Sequence, residues 1–336
     1  MFAPPPIIET RVFAKVPARL RITGRSSAWI DIQLGGRPTD CFLEGPAFDR
    51  MGNLLVVDIP WGRIFRITPA GEFDVVAEYD GEPNGLAIHR DGRIFITDYR
   101  HGILLLDPSV GKVMPLLERH GLERFKGVND LVFAANGDLY FTDQGLTGLH
   151  DATGCVYRLR AAGELDCLLD NIPSPNGLVM GLDETTLFVN VTRDNAVWRI
   201  PLARNGQPFK VGAFIRLSGG VGPDGIAIDE AGNLAVAHLG LGVVWVFNRF
   251  GEPIARIKSC AGMATTNVAY GGAERRDLYI TESESGQVLV ANLDVPGRTM
   301  FSHSQPGYDS LPREVGPDGS PNGQDDSTVS LGKASS

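Results

Sequence analysis

One pattern written six times constrains this chain more than any other feature. It begins as a short polar knot containing Gly or Pro, continues as an apolar run, turns at a glycine, and returns as a second apolar run ending on a polar residue. The first copy spans Cys41 to Asp58, with Glu44-Gly-Pro as its knot. The others carry Pro83-Asn84-Gly85, Asn129-Asp130-Leu, Pro175-Asn176-Gly177, Pro223-Asp224-Gly225 and Asn267-Val-Ala. Measured between Glu44, Asn84, Asn129, Asn176, Asp224 and Asn267, the steps are 40, 45, 47, 48 and 43 residues. A period of that length with several short strands per copy predicts a β-propeller, one blade per copy. The expected fold is therefore all-β: a six-bladed β-propeller with an N-terminal strand closing the last blade.

Arg11-Val-Phe-Ala and Leu20-Arg-Ile-Thr precede the first copy and are the candidates for that closing strand, because a ring built from both termini leaves no free sheet edge. Removal of residues 1–30 is expected to unfold the protein. The segment from Val113 to Phe125 reads as a link with a short helical turn. The propeller is expected to occupy residues 1–305. A polar tail, 306–336, is too poor in apolar residues to order itself.

The 336 residues carry a net charge of −9 and no cluster of Lys and Arg, which argues against nucleic acid as a partner. No run approaches the roughly 18 apolar residues of a membrane span. Met-Phe-Ala-Pro-Pro-Pro has neither a basic region nor an apolar core of a leader, so a cytoplasmic location is expected. Cys41, Cys155, Cys167 and Cys260 are widely spaced and read as small buried apolar residues. Gly220-Val-Gly-Pro-Asp-Gly225 fits a dinucleotide-loop spacing, but it precedes a strand rather than a helix.

In a propeller the knots precede the inner strands and converge on one mouth of the central channel. Glu44, Asn84, Asn129, Asn176, Asp224 and Asn267 would then meet there. Two carboxylates among amide oxygens form a hard, oxygen-rich set suited to Ca²⁺, Mg²⁺ or Mn²⁺; zinc would want Cys or clustered His. Taken singly, Asn-Gly and Asp-Gly are also ordinary turn residues, whereas Glu44 has no such role. The second runs end on Asp58, Asp98, Asp143, Asn190, His238 and Glu282, which would return to the same mouth as an outer shell. His101 and His238 are the histidines placed near a ligand there.

The sequence as a whole resembles the SMP-30/gluconolactonase family, through Glu44-Gly-Pro, Asp58-Ile-Pro60, Asn129-Asp130-Leu, Tyr140-Phe-Thr-Asp143, Pro175-Asn-Gly177, Pro223-Asp-Gly225 and Thr266-Asn-Val. The resemblance implies one divalent metal, most often calcium, held by Glu44, Asn176 and Asp224, with Asn129 as a further metal or substrate contact. It implies hydrolysis of a small-molecule lactone, with Asp224 as base or as ligand only. A phosphotriesterase-like hydrolase and a non-catalytic binding scaffold are the alternatives. Where sugar-lactone members often carry Arg, this chain has Gly127 beside Lys126, which points away from a sugar acid. Trp61 and Asn84 are the remaining candidates for lining the substrate site, Trp61 as an apolar wall.

Overall fold

The computed structural model describes residues 4–304 and contains the six expected blades. In blades 1 to 4 the strands run outward from the axis in chain order, and blades 5 and 6 do the same except for an outermost strand taken from the N-terminus. The inner strands are Leu43–Phe48, Pro83–Ile88, Val128–Phe133, Pro175–Met180, Gly222–Ile228 and Thr265–Gly271. Apolar side chains from adjacent blades mesh into six separate core clusters, one at each interface. Phe48 and Val56 meet Ala269 and Tyr279 at the junction of blades 1 and 6, for example. Alternation along each strand supplies both faces of a blade to these interfaces, which is why the second strands of blades 1, 2 and 3 are buried throughout.

The N-terminus closes the ring twice over. Arg11–Lys15 pairs antiparallel with the third strand of blade 6, Gln287–Asn292, and becomes its outer strand. Ile7–Glu9 adds to the edge of blade 5, parallel to Pro253–Lys258. Two expectations are corrected. Leu20 and Ile22 are not in a strand: the chain there enters a 3-10 turn at Ala18–Leu20 and then the short helix α1, Ala28–Gln33. Between blades 2 and 3 there is no helical turn. Lys112–Leu117 is the outer strand of blade 2, and Arg119–His120 and Glu123–Arg124 form a small hairpin.

The last described residues cross the lower end of the channel and touch all six blades. Arg298 donates to the carbonyls of Met180 and Gly181 and pairs with Glu184 in blade 4. Gly297 bridges to Asp229 in blade 5 and accepts from Arg275 in blade 6. Ser302 donates to Phe48 O in blade 1, and Phe301 stacks on Phe133 of blade 3 with Arg90 of blade 2 over its ring. The tail expected over 306–336 lies outside the described residues.

Candidate functional site

Each inner strand carries a register irregularity at its upper end, where the polar knot sits. In blade 3 two residues, Asn129 and Asp130, oppose the single Thr142 of the neighbouring strand, and the same two-to-one count holds in blades 1, 4 and 5. In blades 2 and 6 one extra residue, Asn84 or Thr266, is inserted opposite none. A bulge re-aims the side chains on it. Six bulges at one level turn the knots toward the axis.

The glycines of these knots serve a purpose other than the turn chemistry their sequence suggests. Gly85, Gly177 and Gly225 lie within strands, and a Cβ on any of them would strike the next blade. That of Gly177 would fall 2.5 Å from Asp224 O, and that of Gly225 would fall 2.0 Å from Asn267 Oδ1. The ring is so narrow here that backbones touch, which is what brings residues from different blades within hydrogen-bonding distance.

Glu44 Oε2 accepts from Gly45 N at 2.7 Å and from Asn267 Nδ2 at 2.9 Å. The same Asn267 amide reaches Asp130 Oδ2 at 3.3 Å, linking blades 1, 3 and 6 across the axis. Asn176 hydrogen-bonds the Asp224 carboxylate. Asn129 donates to Gln144 Oε1 at 2.9 Å, and Gln144 in turn donates to Ser174 Oγ at 2.9 Å. Glu44, Asn84, Asn129, Asn176, Asp224 and Asn267 are all buried.

Burial and mutual repulsion shape the electrostatics. Burial pushes the Asp224 carboxyl up to about 8, against the Asn176 hydrogen bond, and the charge of Asp130 pushes the same way. Glu44 is raised well above the ordinary range, first by burial and then by Asp224. Asp130 is raised to about 6 by burial, against hydrogen bonds from Leu131 N and Asn267. Three carboxylates thus share one enclosure, with the exposed Arg193 acting on Asp224 from the rim. Such a group is costly to ionise without a cation among it. Among the described residues no three His, Cys, Asp or Glu side chains form a ligand cluster by themselves. The amide oxygens of Asn176 and Asn129 complete the set, and an all-oxygen donor set of this charge fits a hard divalent ion.

Asp130 was missed by the sequence reading. It follows Asn129 directly, and strict alternation would send the two side chains to opposite faces; the bulge brings both to the channel. Below Asp130 and Asn267 the channel widens into a cavity of about 280 Å³, walled by residues such as Leu86, Val132, Leu178 and Ile226 and floored by Phe301.

Other candidates lie elsewhere. Trp61 is packed beside α1 with Trp29 and Ile30, its Nε1 donating to Asp40 O and Arg25 over its ring. The segment between the closing strand and blade 1 covers it, so it does not wall the mouth. His238 is fully buried; its Nε2 meets Gly219 O at 3.0 Å and its Nδ1 accepts from Trp245 Nε1 at 3.3 Å, leaving neither nitrogen for a ligand. His101 stands on the upper rim with Nε2 against Asp80 O at 2.8 Å. Asn84 is at the mouth, in the inner strand of blade 2.

The second ring fastens the mouth rather than lining it. Asp143 accepts from the amides of Lys126 and Gly127, Asp98 from Glu82 N, Asp58 from Phe42 N, and Glu282 from Ala264 N. In each case the carboxylate grips the chain just ahead of its own inner strand. Gly127 has φ +151° and lies against the Tyr99 ring, where a Cβ would be 2.5 Å from the ring carbons.

The comparisons with known proteins agree with this architecture. The model of the SMP-30/Gluconolactonase/LRE-like region matches residues 42–284. Lactonase drp35 of Staphylococcus aureus is 31% identical over 239 residues, covering 68% of this chain and 72% of that protein. Its counterpart in Staphylococcus saprophyticus is 31% identical over 245 residues, covering 70% and 74%. Among solved structures, a gluconolactonase of Xanthomonas campestris superposes with a TM-score of 0.67 at 25% identity, over 84% of this chain and 98% of that one. The calcium-binding protein regucalcin of Agrobacterium tumefaciens shares the fold, with a TM-score of 0.70 at 23% identity over 89% and 99%. The six blades, the knots in their order and the match over residues 42–284 together establish that this chain belongs to the SMP-30/gluconolactonase/LRE-like family.

Proposed function

We propose that the chain is a lactone hydrolase that works with one divalent metal ion, calcium being best suited to the donors. The observation that carries this reading is the meeting of Glu44, Asp130 and Asp224 with Asn176, Asn129 and Asn267 at one buried mouth. The names of the lactonase and gluconolactonase relatives supply the reaction class. Glu44, Asn176, Asp224 and Asn129 are the residues that would hold the ion. When bound, a divalent cation supplies Lewis-acid polarisation of an ester carbonyl.

The chain's own side chains do the rest. Asn267 fixes Glu44 and Asp130 in place through one amide, and Gln144 fixes Asn129, so the mouth is preorganised before substrate arrives. Water adds to the lactone carbonyl and gives its proton to a carboxylate oxygen; the ring C–O bond then breaks, and the carboxyl returns that proton to the departing ring oxygen to give a hydroxy acid. Asp224 is the first candidate for that oxygen. Asp130 is the second, because it stands beside Asp224 without belonging to the ligand set named above. Asn84 and the rim residue His101 remain as substrate contacts, and Arg193 offers a positive charge to the carboxylate of the product.

Calorimetric titration of chelated protein with Ca²⁺, Mg²⁺, Mn²⁺ and Zn²⁺, followed by parallel assays on a lactone and an organophosphate, tests the reading. One site in the wild type, absent in Glu44→Gln, with turnover of the lactone, is the expected result. Turnover of the organophosphate alone would replace the lactonase with a phosphotriesterase-like enzyme. A folded wild type that binds no metal would leave a scaffold.

A further inference from the structure

Blade 3 carries two cysteines that nothing in the proposed reaction uses. Cys155 lies in its third strand, Gly154–Leu159, and Cys167 in its outer strand, Leu165–Ile172. Tyr157 pairs directly with Cys167, and Cys155 precedes Tyr157 by two residues on the same face, so the two thiols are diagonal neighbours. A register shift between Val156 and Tyr157 compresses the outer strand at this point. The thiols interact with each other side chain to side chain, and both belong to the cluster around Phe125, Phe141 and Tyr157. Cys155 is buried and Cys167 half-buried, within reach of a small oxidant; Cys41 is buried and Cys260 exposed.

The pair sits behind the loop that delivers Asn129. Asp143 pairs with Cys155 across the strands, and its carboxylate holds the amides of Lys126 and Gly127. Lys126 Nζ and the Cys155 thiol both donate to Thr153 O, at 2.6 Å and 3.6 Å.

We propose that Cys155 and Cys167 form a peroxide-sensitive dithiol that closes to a disulfide on the flank of the loop carrying Asn129. The Cys155 sulfur attacks one peroxide oxygen, the O–O bond breaks, and a sulfenic acid and water result. The Cys167 sulfur then attacks the Cys155 sulfur, the S–OH bond breaks, and a second water leaves. Two thiols are oxidised by two electrons and one hydrogen peroxide is reduced. Contact with Cys167 holds the Cys155 thiol below its ordinary value, which favours Cys155 as the attacking group.

The test is treatment of the full-length protein with hydrogen peroxide, differential alkylation and tryptic mass spectrometry without reductant. The expected product is a linked pair, residues 127–158 joined to 161–193, lighter by two hydrogens and separated by dithiothreitol. Amide hydrogen exchange over 125–129 should slow at the same time. In Cys155→Ser, Cys167 should react at least about tenfold more slowly. Oxidation confined to Cys260, or independent sulfinic acids at Cys155 and Cys167 without a linked pair, would overturn the site. A linked pair with unchanged exchange over 125–129 would overturn its connection to the Asn129 loop.

Discussion

The two ends of the central channel are closed in opposite ways. At the upper mouth six equivalent blades each contribute a bulged knot, and the closure is made of carboxylates and amides that belong to the repeat. At the lower mouth the closure is a single segment, residues 297–304, that belongs to no repeat and meets each blade differently. Chemistry that needs several ligands around a point uses the symmetry of the ring. Sealing needs only one strand of chain laid across it. The upper mouth therefore holds costly buried charge, and the lower one holds apolar and guanidinium packing that secures the ring.

The sharpest way to break this contrast is to remove charge from the upper mouth. Glu44→Gln and Asp224→Asn should each lower kcat/KM on a lactone by about 10²-fold or more, while melting in chelator stays level or rises, since each removes a carboxyl that is costly to ionise where it is buried. A variant that loses stability in chelator instead would mean that the carboxylates support the fold. Gly225→Ala comes next. Its Cβ would fall against Asn267 Oδ1 and push it off Glu44 and Asp130, so stability should fall by about 1–3 kcal/mol and metal affinity with it. Unaltered affinity would show that Asn267 does not position the two carboxylates.

The lower mouth should answer in the other currency. Phe301→Ala removes a ring stacked on Phe133 at 4.8 Å between centroids and covered by Arg90. A loss of about 2–3 kcal/mol is expected, seen as a lower Tm, with kcat/KM at 25 °C kept within about twofold because the segment's hydrogen bonds and ring contacts fall on residues at the lower end of the channel. A large fall in turnover below the melting range would show that the ends communicate, through the inner strands that join them.

The same contrast explains what was legible in the sequence. The blades, their order and the convergence of Glu44, Asn129, Asn176 and Asp224 follow from a periodic pattern, and periodicity survives in sequence. Asp130 did not, because a one-residue bulge defeats the alternation by which neighbouring side chains are assigned to faces. Trp61 and His238 were placed at the mouth by their position in the repeat. Trp61 is instead covered by α1, a non-repeating insertion, and His238 is turned toward Gly219 and Trp245. The floor at 297–304 was invisible for the same reason: its partners are scattered over six blades and share no motif.

His238 gives the finest test, because it is a titratable fastening where blade 4, in the same register, has the apolar Val191. Nε2–H donates to Gly219 O while Nδ1 accepts from Trp245, so the neutral ring satisfies both partners. A second proton would set Nδ1–H against an indole N–H. Burial accordingly lowers its proton affinity in the folded state, against the pull of Gly219 O. The unfolded chain takes up that proton first, so this contribution is fully present above the ordinary histidine value of about 6.5 and is lost as pH falls below it. The slope cannot exceed about 1.4 kcal/mol per pH unit for one proton. His238→Asn, which puts a side chain that does not titrate in its place, should therefore narrow the difference in Tm between pH values above and below that range. The same pH dependence in both proteins would mean that His238 titrates as freely folded as unfolded, and that the upper mouth is fastened at this blade by packing alone.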